Sequence, residues 1–106
     1  MMAFNGLTAA EAERLAILAE ECAEVIQAVG KILRHGYQSF NPDLLTQEME
    51  DDGEIPPNNK ANLEKELGDV VLAIDMLKDA GDVSRYEIET RVGVKAEKIQ
   101  EYLHHQ

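Results

Sequence analysis

ELGDVVLAIDML, residues 66–77, is the stretch on which the fold turns. A helix advances about 100° per residue, which places Glu66 and Asp69 on one stripe with Ala73, Met76 and Leu77. Glu64, Asp75 and Asp79 gather about half a turn away as a separate polar face. Residues 67–77 are otherwise apolar nearly all round, the pattern of a helix enclosed by other helices. Two acids thus head an apolar stripe. A carboxylate taken out of water without a partner is costly, and one shared metal ion would serve both.

The ligands missing from such a site are found upstream. Thr8-Ala9-Ala10-Glu11 has the form of a capping box and opens a helix. From Leu15, the residues Leu18, Cys22, Val25, Ile26, Val29, Ile32 and Leu33 recur within about a third of a turn, and Gly36 is the expected terminator. Glu20, Glu21 and Glu24 occupy an arc of about 100° on this helix. They share their side with Glu13, Gln27, Lys31 and His35, opposite the apolar stripe, so this helix read alone fits a solvated acidic face. The acids of residues 66–69 tip the reading toward a site. Cys22, alone in the sequence and set in the apolar pattern, is expected to be a core thiol.

The segment 38–59 carries Pro42, Gly53, Pro56 and Pro57, and between positions 43 and 54 it holds six acids and no Lys or Arg. It reads as a mobile acidic loop with one helical turn around Leu44 and Leu45. Asn58 or Asn59 caps a second helix running through Lys78, with Gly81 at its left-handed C′ position. Ser84-Arg85-Tyr86-Glu87 is a second capping box. It starts a third helix whose stripe is Ile88, Val92, Ile99 and Leu103, with a weak point at Gly93. The expected fold is therefore all-α, a bundle of three main helices in a single domain over residues 1–106. Three such helices bury too little alone, so the bundle is expected to be completed by a homodimer or a homotetramer.

Composition limits the function. With 21 acids against 10 Lys and Arg, the net charge of −11 excludes nucleic acid and anionic membranes as direct partners, since both demand a basic surface. No apolar run approaches the roughly 20 residues that span a bilayer, and the start MMAFNGLTAAEAE lacks the regions of a signal peptide, so a cytoplasmic protein is expected. A phosphate substrate would need divalent cations as intermediaries. Mg²⁺, or Mn²⁺ in its place, suits carboxylate oxygen. Zinc does not, because His35, His104 and His105 have no partner at metal spacing. His35 reads as a surface or phosphate-contacting residue.

The pair EECAE at 20–24 and ELGD at 66–69, continued by VVLAIDML, resembles the MazG-like branch of the all-α nucleoside triphosphate pyrophosphohydrolases over about two thirds of the chain. The resemblance implies an enzyme that hydrolyses a nucleoside triphosphate between its α and β phosphates, giving a monophosphate and pyrophosphate. Glu21, Glu24, Glu66 and Asp69 match the family's metal ligands. Glu20 matches the adjacent acid, to which we assign the orienting or deprotonation of the attacking water. The family also holds phosphate with basic residues of a later helix. Lys95 is the first candidate because it falls between Ile88 and Ile99 around the third helix, and Lys98, Lys31 and Arg34 follow it. The long acidic loop departs from the compact members and stands where a lid or part of a base pocket could form. Chains of this kind suggest nucleotide-pool control, with purine deoxynucleoside triphosphates as candidate substrates. The rival expectation is a non-catalytic acidic helical module that dimerises or binds a basic partner. Thermal stabilisation by Mg²⁺ or Mn²⁺ separates the two, since such a module has no site for the ion.

Overall fold

The computed structural model describes residues 4–106. Residues 1–3, part of the start weighed above against a signal peptide, lie outside that range. The described residues are all-α, as expected, with four α-helices among them: α1 (Ala9–His35), α2 (Gln47–Asp52), α3 (Asn59–Asp79) and α4 (Arg85–Lys98). Two 3₁₀ turns, Pro42–Leu44 and Ile99–Tyr102, complete it. Among the described residues there is no β-strand beyond an isolated bridge between Phe40 and Asn58, and no helix is long and apolar enough to cross a membrane.

The helix starts follow the local chemistry of the sequence. Thr8 Oγ1 accepts from the Glu11 amide at 3.1 Å while Glu11 Oε1 accepts from the Thr8 amide at 2.9 Å, a reciprocal capping box. Asn58 caps α3 through the Ala61 amide. Ser84 caps α4 through the Glu87 amide, which is one half of the box read there. Gly36, at φ 86°, closes α1 with its amide on the Ile32 carbonyl, and Gly81, at φ 77°, follows the end of α3. Both need a backbone conformation that only glycine adopts cheaply. Gly93 does not interrupt α4, but the α-helix ends at Lys98, so Ile99 falls in the following 3₁₀ turn and Leu103 lies beyond it.

The segment expected to be a mobile loop with one helical turn is more ordered than its composition suggests. It contains the Pro42–Leu44 turn and also α2, capped by Thr46. Its two ends are stitched together. The Asn59 and Lys60 amides donate to the Ser39 and Tyr37 carbonyls at 2.8 and 2.9 Å, Asn59 Nδ2 reaches the Gly36 carbonyl at 3.1 Å, and Asn58 Nδ2 reaches Gln38 Oε1 at 3.1 Å. Pro56, just before the Asn58–Lys60 side of this seam in the sequence, is fully buried.

α1 and α3 pack antiparallel, and Arg14 clamps the far end of the pair by bidentate bonds to Asp82 at 2.6 and 3.0 Å. The core between them is thin: Ala28, Ala73 and Leu77 are its buried apolar residues. α3 presents the stripe foreseen for it, with Glu66, Asp69, Ala73, Met76 and Leu77 turned toward α1. α1 does not. Its contact face runs through Glu21, Val25, Ala28 and Ile32, about a quarter turn from the centre of its apolar stripe. That rotation brings the acids inward and leaves Cys22, Ile26, Val29 and Leu33 exposed, Leu33 at 82% and Ile26 at 72%. Cys22 is therefore not the core thiol expected.

α4 makes little contact with the α1–α3 pair. The radius of gyration is 18.7 Å, against about 13 Å for a compact domain of this length. The accessible surface is 8367 Å², where a folded monomer of this mass would expose about 5,900 Å².

Candidate metal centre

α1 and α3 face each other at Glu21, Glu24, Glu66 and Asp69, all four half-buried. One carboxylate oxygen from each of the four lies within 4.8 Å of all the others. The spacing explains how. Glu21 and Glu24 are three apart on α1, Glu66 and Asp69 three apart on α3, and such pairs project side by side from one face. Ala28 and Ala73 next to them have no bulk, so the two backbones approach closely enough for carboxylates to meet.

The electrostatics of this cluster are unresolved within the chain. Glu21 Oε2 and Glu66 Oε2 are shut off from solvent and have no hydrogen-bond partner among the described residues. Desolvation, then the charges of Asp69, Glu66 and Glu20, push the Glu21 carboxyl above its ordinary 4.5. Glu66 is raised too, first by the Glu24 carboxyl with which it can share a proton, then by desolvation; Lys65, 3.9 Å away, opposes this. Four carboxylates with two orphaned oxygens form a hard, anionic donor set of the type that Mg²⁺ and Mn²⁺ take, leaving room for water or phosphate oxygens. The residues fit such an ion.

The raised carboxyls give a pH prediction. Between the ordinary 4.5 and their higher folded values, Glu21 and Glu66 bind protons more readily in the folded chain than in the unfolded one. Stability of the metal-free protein should therefore fall as pH rises through that window. Asp82, held below its ordinary 3.8 by Arg14, acts with the opposite sign, and its contribution is lost only as pH falls below that value. We expect metal-free protein to melt higher at a pH near the ordinary 4.5 than at about pH 7.5, with the gap narrowed in Glu21→Gln and by saturating Mg²⁺. An identical gap in Glu21→Gln would detach it from this cluster.

The other residues singled out in the sequence divide. Glu20 is exposed, outside the group of four but beside Glu21. Lys31 lies two turns beyond Glu24, lining a depression of roughly 400 Å³ with Glu24, Gln27, Asn62, Lys65 and Glu66. Arg34 and His35 line a second cavity that continues from it. Lys95 and Lys98 are not brought to the cluster within one chain: Lys95 borders an open, mainly apolar groove on α4 with Ile88, Val92 and Ile99, and Lys98 is exposed at the end of that helix.

Sequence reasoning missed Asn59, Asn62 and Lys65. For the two asparagines the signal was present, since Asn59, Asn62, Glu66, Asp69 and Ala73 form one continuous helical stripe. Reading Asn58 and Asn59 only as caps hid its first turn.

Against this geometry, the family model of the MazG nucleotide pyrophosphohydrolase domain matches residues 10–102. No curated protein and no solved structure matches the chain.

Proposed function

Because the chain belongs to the MazG nucleotide pyrophosphohydrolase domain family, we propose that it cleaves nucleoside triphosphates to a monophosphate and pyrophosphate, as a single domain over residues 1–106. Mg²⁺, or Mn²⁺, would be held by Glu21, Glu24, Glu66 and Asp69. The observation that carries this reading is the convergence of four carboxylates from two helices with two of their oxygens orphaned. A non-catalytic module would have no reason to keep them so. The substrates we favour are purine deoxynucleoside triphosphates, and the role is control of the nucleotide pool in the cytoplasm.

When bound, the ion neutralises charge on the phosphates and lowers the pKa of a coordinated water. The chain's residues do the rest. Glu21 and Glu66 are anchored on opposite helices, so a ligand between them is fixed from two sides. Glu20, exposed next to Glu21, would accept a proton from the attacking water. Lys31 and Lys65 flank the polar depression and offset the negative charge that a triphosphate would otherwise meet on a protein of net charge −11. The deciding experiment is a screen of the common ribo- and deoxynucleoside triphosphates with Mg²⁺, the products of an early time point being separated by chromatography. Monophosphate and pyrophosphate are expected in equal amounts. Orthophosphate as the first product would rule the reaction out.

Assembly belongs to the same proposal. A homodimer or homotetramer would cover Ile26, Leu33, Val71 and Leu72, all more than half exposed in the single chain. It is also the route by which Lys95 can serve the site, because α4 does not reach the cluster of its own chain. Lys95→Ala is expected to raise KM or lower kcat while leaving the assembly and melting temperature unchanged. Unaltered kinetics would remove Lys95 from the substrate site and shift the choice to Lys31, Arg34 or Lys98.

A further inference from the structure

The two cavities beside the acidic cluster form one trough, and its chemistry changes along its length. Next to the carboxylates the walls are polar and charged, with Gln27, Lys31, Asn62 and Lys65. Lys31, Asn59 and Asn62 are shared with the second cavity, of roughly 460 Å³, whose far walls are Phe40, Pro42, Leu44 and Pro57. From Glu24 to Arg34 the trough follows ten residues of α1, about 15 Å of helical rise. Its order is thus anionic metal-binding groups, then cations and amides, then an end where Phe40, Pro42, Leu44 and Pro57 share the lining with Arg34 and His35. A nucleotide has the complementary order of phosphates, sugar and base.

Resting on the reading that this chain acts on nucleoside triphosphates, we propose that the cavity between the C-terminal end of α1 and the segment around Phe40 receives the nucleobase and sugar, with the phosphates lying back toward Glu24 and Glu66. A volume of this size lies in the range of small-molecule sites and accommodates a nucleoside. Phe40 is half-buried, which limits its motion and leaves part of its ring available to the cavity. Arg34 forms no ion pair among the described residues, so its planar guanidinium is free to stack or to donate to base acceptors. The walls are held in place beforehand. The seam of the Ser39 and Tyr37 carbonyls with the Asn59 and Lys60 amides fixes the Phe40 segment to the start of α3, so ordering this cavity costs little on binding. The opposite placement, with the γ phosphate at this end beside Arg34 and His35, would set the base among Glu24, Lys65 and Glu66 and leave Phe40, Pro42, Leu44 and Pro57 without an apolar partner.

The test uses the full chain with Mg²⁺ and equilibrium titration of two probes: a panel of the common ribo- and deoxynucleoside monophosphates, and inorganic pyrophosphate. Phe40→Ala removes the ring, and Phe40→Leu keeps apolar volume but lacks the aromatic face, so fold and stacking are separated. Loss of a stacking face should weaken the best-bound monophosphate about tenfold in both variants, with pyrophosphate affinity and melting temperature unchanged in Phe40→Leu. Equal weakening of both probes would overturn the proposal by placing phosphates in this cavity. Unchanged affinity for the monophosphate would overturn it by leaving the cavity unused, as would failure of every monophosphate to bind the wild-type chain. If a monophosphate binds in a Phe40-dependent way but no triphosphate is hydrolysed, the base site stands and the proposed reaction falls.

Discussion

Glu24→Ala and Asp69→Ala are each expected to eliminate metal-dependent turnover while leaving the helical content intact. Each removes one of four carboxylates whose oxygens lie within 4.8 Å of one another. Losing an outer partner of a metal ligand commonly costs ten- to a hundredfold, so losing a ligand itself should cost at least about a hundredfold. The stability of the metal-free protein should move the other way. Deleting one negative charge from the cluster relieves the mutual repulsion that raises Glu66 through Glu24 and raises Glu21 through Asp69. The melting temperature without metal should stay level or rise, and the increase produced by Mg²⁺ in the wild type should vanish. Circular dichroism melts with and without Mg²⁺, alongside steady-state rates, make the measurement. Near wild-type hydrolysis by either variant would show that the metal lies elsewhere.

The second large effect concerns assembly. The single chain exposes 8367 Å², and the excess over the about 5,900 Å² of a compact monomer is well above the roughly 800 Å² that each partner gives up in a standard interface. Burying an Ile or Val side chain contributes about 1.5–3 kcal/mol, and a carboxylate put in its place would have to be desolvated as well. Ile26→Glu or Val71→Glu should therefore weaken self-association by at least tenfold, since each 1.4 kcal/mol is a factor of about ten. Sedimentation equilibrium should show the wild type as a multiple of the chain mass and the variants shifted toward single chains that melt at lower temperature. A wild type that is monomeric throughout the micromolar range would refute the assembly.

Much of this architecture could be read from residue order because its determinants are local. The caps at Thr8, Asn58 and Ser84 and the glycines at 36 and 81 act within a few residues of themselves, and the stripe from Glu66 to Leu77 faces a neighbour in the same chain. The facing of α1 could not be read in the same way. Its broadest apolar stripe is centred near Val29 and predicts the buried side only if the partner lies within the chain. The face that packs on α3 instead uses small Ala28 and the acids Glu21 and Glu24, while Cys22, Ile26, Val29 and Leu33 point away. Periodicity reports that a face is apolar without reporting which molecule covers it. Segment 38–59 escaped for a related reason. Its prolines and acids discourage regular structure locally, and the bonds from Asn58, Asn59 and Lys60 that order it come from residues about 20 positions away. At the site, the paired acids were visible as spacing, whereas the cavity at Phe40 depends on that same distant seam.

The seam also bears on how much the chain between its two ends can vary. Phe40 and Asn58 are bridged before α2 begins and after it ends, so residues 46–54 form a closed excursion anchored outside themselves. The entropy of closing such a loop grows only logarithmically, by about 0.6 kcal/mol for each doubling of its length. Shortening or extending the excursion around α2 therefore disturbs the helix pair little, and it leaves Phe40 and Asn59 held where they are. The number of residues in this insertion can drift between related chains, and its acidic content with it, while the scaffold and the four carboxylates keep their register.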